Sequence, residues 1–339
     1  MKDLITQEIG SFRKPEYLSN VFRKLSGEEL HQLKRKALKE TLDLFDRTGL
    51  ENIGVGGEMY RWEMYEHLAA GLKGIEFYGM VRSFDNRYFR KGSVVSELKK
   101  TGNVHIEEMG DVMGLTRKAI KVPITGPYTM MEWSFNDYYQ NREKLAMKYA
   151  EIINQEIREL RDFWHSRNDL DLEIQIDEPA LTTHPAEMDI GVESLNASME
   201  GIKGCEFSLH VCYSTDYRIL YRRIPDLNFH GYNLEFANRG IVDPVTGKQE
   251  ISAYETVKDF ADASTDRFLG LGVNDVHIDY VETPEQVADR IETALDHIDA
   301  KRLRINPDCG LRTRSREIGE KKLASMVKGR DIVRKRLGV

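Results

Sequence analysis

Eight short apolar segments, each closing on a polar or turn-forming residue, recur along this chain, and longer stretches of helical period fall between them. The segments are 6–11 (TQEIGS), 52–58 (NIGVGGE), 120–127 (IKVPITGP), 172–179 (LEIQIDEP), 207–214 (FSLHVCYS), 231–238 (GYNLEFAN), 268–275 (FLGLGVND) and 303–310 (LRINPDCG). Short apolar runs bounded by turn signals read as strands. Helical patterns are clearest over 27–48, 141–165, 284–298 and 316–336. In 284–298, Pro284 stands near the start and Val287, Ile291, Leu295 and Ile298 recur about four apart, which predicts one buried face. Strands that alternate with helices imply a parallel sheet, and eight such units predict an α/β fold of the (β/α)8 TIM-barrel type. The same rhythm also allows a doubly wound open sheet. The 339 residues suit a single catalytic domain over 1–339, although length alone would admit two modest domains. Residues 76–118 break the rhythm between the second and third strands and are predicted to form a long excursion over the barrel mouth.

Composition excludes several classes of function. The net charge of −7 lacks the basic excess of a nucleic-acid binder and disfavours an anionic membrane surface. There is no run of about 18 apolar residues to span a bilayer. The N-terminal MKDLITQEIG has no apolar core followed by a small-residue cleavage site, so a cytoplasmic location is expected. Cys205, Cys212 and Cys309 are too few, and odd in number, for a disulfide framework. Near His and acidic residues, such cysteines point to a metal or to catalysis.

Chemically capable residues concentrate at the strand ends: Ser11, Glu58, Asp177, His210, Cys212, Glu235, Asp275, Asp308 and Cys309. In a barrel the C-terminal ends of all strands line one mouth, where active sites sit. Strand side chains alternate in face, so His210 and Cys212 aim an imidazole and a thiol at one point. Taken alone, H-x-C also describes a satisfied core histidine beside a buried cysteine. Glu235 lies within an apolar run (YNLEF), and a buried carboxylate there needs a metal or a salt-bridged arginine. Cys309 ends the eighth segment, and the glycine after it suits a tight turn with close backbone approach. Two thiolates, one imidazole and one carboxylate form a set acceptable to Zn2+. Bound zinc lets a substrate thiol lose its proton near neutral pH, ready to attack a methyl group.

The motifs IQIDEPAL (174–181), HVCYS (210–214), DVH (275–277) and INPDCGLRTR (305–314), with GPYTMMEWSF (126–135), IGS (9–11) and Gly57-Glu58, resemble those of cobalamin-independent methionine synthase. The likeness extends over nearly the whole chain and matches the catalytic half of that family. It implies a (β/α)8 barrel that transfers a methyl group to the thiol of L-homocysteine, giving L-methionine. Carried over residue by residue, it implies zinc on His210, Cys212, Glu235 and Cys309. The amino acid end of homocysteine falls to Ile9, Gly10, Ser11, Glu58 and Asp177, where two carboxylates suit an ammonium and backbone N–H groups a carboxylate. His277 matches a proton donor, Trp133 a pterin contact and Arg87 a contact to the methyl donor. Each also has a structural reading: Asp177 as a turn hydrogen bond, His277 as a surface loop residue, Trp133 as a core aromatic and Arg87 as a surface charge.

Two departures from the family bear on the methyl donor. The N-terminal barrel of its full-length members has no counterpart in these residues. Thr183 stands where the family has a glutamate six residues beyond the aspartate of IDEP. The expected donor is therefore either a methylated corrinoid (methylcobalamin) or a methyltetrahydropterin. Rival functions are methylation of another thiol, such as coenzyme M, and a non-catalytic subunit that binds a methyl carrier. A decarboxylase barrel of the uroporphyrinogen type would need no thiolate metal set.

Overall fold

The computed structural model describes residues 3–83, 88–118, 120–214, 216–237, 241–242, 249–251 and 253–339. Its main strands, in chain order, are β1 (Leu72–Arg82), β2 (Tyr88–Lys100), β3 (Ile120–Thr125), β4 (Leu172–Asp177), β5 (Glu206–Val211), β6 (Gly231–Leu234), β7 (Phe268–Gly272) and β8 (Leu303–Asn306). Strands β3 to β8 pair in parallel in sequence order, β3 against β4 and so on to β7 against β8. Thr6 bridges Ile305 and Gln7 bridges Asn52, again in parallel. The first two predicted segments thus extend the sheet past β8 and complete the eight positions of a (β/α)8 barrel.

Those two segments differ from prediction in being single bridges rather than continuous strands. The cause is local. Beyond Asn52, the residues Gly54, Gly56, Gly57 and Glu58 all have positive φ, and a chain of left-handed residues turns instead of extending. The turn throws Glu58 toward the barrel axis. Between Glu58 and β3 lies the predicted excursion. It begins slightly earlier than 76, with β1 and β2 in an antiparallel hairpin, followed by the helix Ile106–Leu115.

The outer layer follows the predicted helices closely: Gly27–Thr48, Arg142–His165, Pro284–Leu295 and Arg316–Leu337. Each has a chemical reason for its ends. Gly49 closes the first in a left-handed cap. Asn141, Thr283 and Ser315 accept a backbone N–H at the starts of the other three, Thr283 within a capping box with Gln286. Helix 142–165 buries Leu145, Tyr149, Ile153, Ile157, Leu160 and Trp164 along one stripe. The helix from Pro284 stops at Leu295, and the turn after it carries Ile298 into the core. Among the described residues, no helix is long and apolar enough to cross a membrane.

The barrel interior is lined by amides rather than only by branched aliphatics. Gln7 Nε2 donates to Asn233 Oδ1 at 2.7 Å and to Asn306 Oδ1 at 3.2 Å. Asn233 Nδ2 donates to Gln175 Oε1 at 2.9 Å, and Lys121 Nζ to the Glu8 carbonyl at 2.6 Å. A buried polar network of this kind fixes one arrangement of strands when its members are satisfied.

Arg61 ties the Glu58 turn to the excursion. It is 4 % exposed; its Nε donates to Glu108 Oε2 at 2.9 Å, and Glu108 is 1 % exposed. Removing one partner of a buried ion pair strands the other charge. Arg61→Ala should therefore lower unfolding free energy by about 3–5 kcal/mol, read from urea titrations. A loss well under about 1 kcal/mol would mean that Glu108 finds water or protonates at little cost.

Candidate metal centre and active-site cavity

A cavity of about 290 Å³ opens at the C-terminal ends of the strands. Ile9, Gly10, Ser11, Glu58, Trp133, Asp177, His210, Cys212 and Cys309 all line it. A larger hollow of about 1010 Å³ lies at the opposite, N-terminal ends of the strands, walled by Glu51, Glu173, Glu206 and Arg304 among others. None of the predicted site residues borders it, and its charges are largely spent on one another: Arg304 pairs with both Glu173 and Glu206. The chemistry therefore lies in the smaller cavity.

One ligand atom each from His210, Cys212 and Cys309 lies within 4.8 Å of the other two. His210 Nε2 stands 3.4 Å from Cys309 Sγ. Ligands of a tetrahedral zinc at ordinary bond lengths sit about 3.5–3.8 Å apart, so this group is close to the spacing a metal needs. The other ring nitrogen of His210, Nδ1, faces the Asn233 carbonyl at 2.8 Å. A hydrogen bond there leaves Nε2 as the lone-pair nitrogen, the usual arrangement of a ligating histidine.

Electrostatics favour the same assignment. Burial opposes charge on His210, but Cys309 overrides it and lifts the imidazole to about 9. Cys309 is held well below the ordinary thiol range, first by a hydrogen bond from Cys212 and then, against burial, by His210. Cys212 is pushed well above that range by the same sulfur contact and by burial. Cys309 is thus the more acidic of the two sulfurs, and its negative charge draws positive charge onto His210, a place that a bound cation would take instead of the proton. Two sulfurs and an imidazole make a donor set that suits a soft or borderline metal.

Glu235, the fourth predicted ligand, is not part of that compact trio. It is fully buried directly after β6. Its Oε2 accepts the Tyr213 N–H at 3.0 Å, and its Oε1 lies 3.8 Å from His277 Nε2. Asp308 braces its loop by accepting the N–H groups of Phe236 and Ala237, each at 2.9 Å. His277 sits in the loop after β7, where its N–H donates to Asp275 Oδ1 at 2.8 Å. It does not line the cavity and meets the site through Glu235 and Tyr213.

Asp177 is the last residue of β4. Its Oδ1 accepts from Gln175 Nε2 at 2.7 Å, and the same nitrogen donates to the Ile9 carbonyl at 2.8 Å. One amide therefore ties the Asp177 carboxylate to the Ile9–Ser11 turn. Burial lifts Asp177 to about 7, against His210 and reinforced by Glu58. Gly310 shows why NPDCG ends as it does: a Cβ there would come within 2.2 Å of Ser11 Oγ and 3.0 Å of the Ser11 nitrogen. Only glycine lets the Cys309 turn press against the Ser11 turn.

Trp133 is half-buried, and its ring lies 4.9 Å from that of Phe89 with planes 31° apart. Arg87 lies outside the described residues. The cavity also has walls to which no role was assigned from sequence: Trp62, Glu63, Tyr88, Phe89, Tyr213 and Arg312. Tyr213 and Arg312 stand inside the HVCYS and INPDCGLRTR motifs, and Trp62 and Glu63 follow the Glu58 turn, so position in or beside a motif was the available signal. Tyr88 and Phe89 come from the hairpin, whose sequence carries no such sign.

Together these features define a (β/α)8 barrel with a His–Cys–Cys metal-capable group and two carboxylates at its C-terminal mouth. Residues 4–330 match the family model described as the catalytic domain of cobalamin-independent synthase, and the chain belongs to that family. It is 56% identical to a methionine synthase of Thermoplasma acidophilum, across 99% of this chain and all of that protein. It is 40% identical to a methionine synthase of Thermococcus kodakarensis, across 98% of this chain and 94% of that one. The structure of a B12-independent methionine synthase from Shewanella sp. W3-18-1, in complex with selenomethionine, superposes with a TM-score of 0.85 at 28% identity and covers 99% of each chain.

Proposed function

We propose that residues 1–339 form one catalytic domain of a zinc-dependent methionine synthase, which moves a methyl group onto the thiol of L-homocysteine. The observation that carries this reading is the position of the sulfur–imidazole trio in one cavity with Asp177 and Glu58. A thiol substrate whose other end is an amino acid needs both features. The selenomethionine of the Shewanella relative is an analogue of the product such a site would release.

His210, Cys212 and Cys309 would hold the metal, with Glu235 adjacent as the fourth candidate ligand. Bound zinc supplies a positive centre that keeps a substrate thiol ionised near neutral pH. Asp177 and Glu58 hold the homocysteine ammonium, and the Ile9–Gly10–Ser11 turn receives its carboxylate. The homocysteine sulfur loses its proton and forms a bond to the methyl carbon. The bond from that carbon to the donor breaks, and its electron pair leaves with the donor. Where the donor is a methyltetrahydropterin, the departing nitrogen needs a proton, which His277 supplies; Trp133 would contact its pterin and Arg87 the donor. Where the donor is a methylated corrinoid, cobalt keeps the pair and no proton is required. We place the enzyme in the cytoplasm.

The test offers purified, zinc-loaded protein homocysteine with methylcobalamin, a methylated corrinoid protein and methyltetrahydrofolate in parallel. Methionine should form from at least one donor, with one zinc per chain, and coenzyme M should not replace homocysteine. No methionine from any donor, or an undiminished rate after chelation of the metal, would sink the proposal.

A further inference from the structure

Tyr213 directly follows Cys212 and has a φ of 60°. For an L-residue with a side chain this conformation costs on the order of 1–2 kcal/mol. It persists only where the surroundings impose it. Tyr213 is half-buried rather than part of the core, so packing of its ring does not by itself account for the strain.

The left-handed residue changes which side chains face the site. In an extended strand, Cys212 and Tyr213 would point to opposite sides. Here His210, Cys212 and Tyr213 all line the same cavity. The turn also creates two contacts. The Tyr213 N–H donates to Glu235 Oε2 at 3.0 Å. The Tyr213 ring meets the His277 ring edge-on, with centroids 5.2 Å apart and planes at 65°, an arrangement that aromatic pairs favour. Glu235 and His277, which follow different strands of the barrel, are thereby held by one residue.

The geometry points to Tyr213 as a positioning residue: its backbone fixes the Glu235 carboxylate, its ring fixes the plane of His277, and the strain at φ 60° is the cost of doing both from one place. This rests on the function proposed above for what Glu235 and His277 do, but not for whether they are held.

Tyr213→Gly removes the ring and relieves the backbone, so the two effects are expected to part. The unfolding midpoint should match or exceed that of the parent, because glycine adopts this φ without strain. Zinc should stay at one per chain. With a methyltetrahydropterin as donor, kcat should fall by about tenfold or more, as misplacement of site groups commonly costs, while KM for homocysteine changes less than about twofold; with a methylated corrinoid, which needs no proton, kcat should change less than about twofold. Tyr213→Asn, which tolerates the same backbone without a ring, should behave alike and so exclude glycine's flexibility as the cause. Tyr213→Phe should restore most of the rate. NMR of the zinc-loaded, substrate-free protein gives a readout independent of turnover. The His277 ring protons, shifted by the neighbouring aromatic ring, should move in the Gly and Asn variants and remain in place in the Phe variant. Unmoved His277 resonances, or a parental kcat in Tyr213→Gly with a methyltetrahydropterin donor that the parent turns over, would overturn the assignment. If no donor yields methionine yet the resonances move as described, the proposed function fails and the positioning role stands.

Discussion

Cys309→Ser should strip the protein of zinc and of methyl transfer while leaving its fold unchanged. The sulfur of Cys309 lies 3.4 Å from His210 Nε2, and it is the more acidic of the two, held by Cys212 and His210 well below the ordinary thiol range. A serine hydroxyl offers neither the thiolate charge nor its softness. Even changes behind the ligands typically cost about 10–100-fold in metal affinity, so loss of a ligand itself should exceed that. Cys309 is half-buried in the turn after β8, outside the strand ladder, which is why the unfolding curve should barely move. Metal content by mass spectrometry and methionine formation are the two measurements. Cys205→Ser is the control. Cys205 sits at the far, N-terminal end of β5, its thiol pushed up to about 11 by burial, and its loss should alter neither zinc nor rate. A Cys309→Ser protein that keeps one zinc and full turnover would remove this sulfur from the centre.

What the sequence made legible here follows from periodicity. Strands β3 to β8 and the four long helices lie where apolar spacing placed them, because each buries a face that composition can reveal. The segments at 6–11 and 52–58 look alike in sequence yet pair only through Thr6, Gln7 and Asn52. In the second, Gly54, Gly56 and Gly57 adopt the left-handed turns that interrupt pairing, and an apolar count does not register backbone sign. The same blindness concealed Tyr213. Strict alternation puts it on the face opposite His210 and Cys212, and only its positive φ reverses that. The metal-capable trio was readable because H-x-C at the end of one strand and Cys309 just past the end of another converge at the barrel mouth. Glu235 was readable as a buried carboxylate but not in its orientation, since the Tyr213 N–H that holds it depends on the same turn. The walls given by Tyr88 and Phe89 come from a hairpin whose exposed, mixed sequence has no period tied to the core.

Asp177→Asn should weaken homocysteine binding by about 30-fold or more, because removing one charge of a buried, hydrogen-bonded pair costs about 2–5 kcal/mol. The substitution keeps the shape of the side chain and an oxygen to accept from Gln175, so the link from Gln175 to the Ile9 carbonyl survives. What disappears is the negative charge facing the ammonium. Burial, reinforced by Glu58, holds the Asp177 carboxyl up at about 7, and a substrate ammonium between Asp177 and Glu58 would favour its ionised form, the usual effect of an opposite charge at close range. The affinity lost in the variant is the affinity gained by that pairing. Titration calorimetry on zinc-loaded protein measures it directly. 4-Mercaptobutanoate separates the cause, since it keeps the thiol and the carboxylate of homocysteine and lacks only the amino group. Its binding should be nearly the same in parent and variant. If both thiols lose affinity equally, Asp177 shapes the cavity or the metal group rather than reading the ammonium, and the amino acid end of the substrate must be held elsewhere.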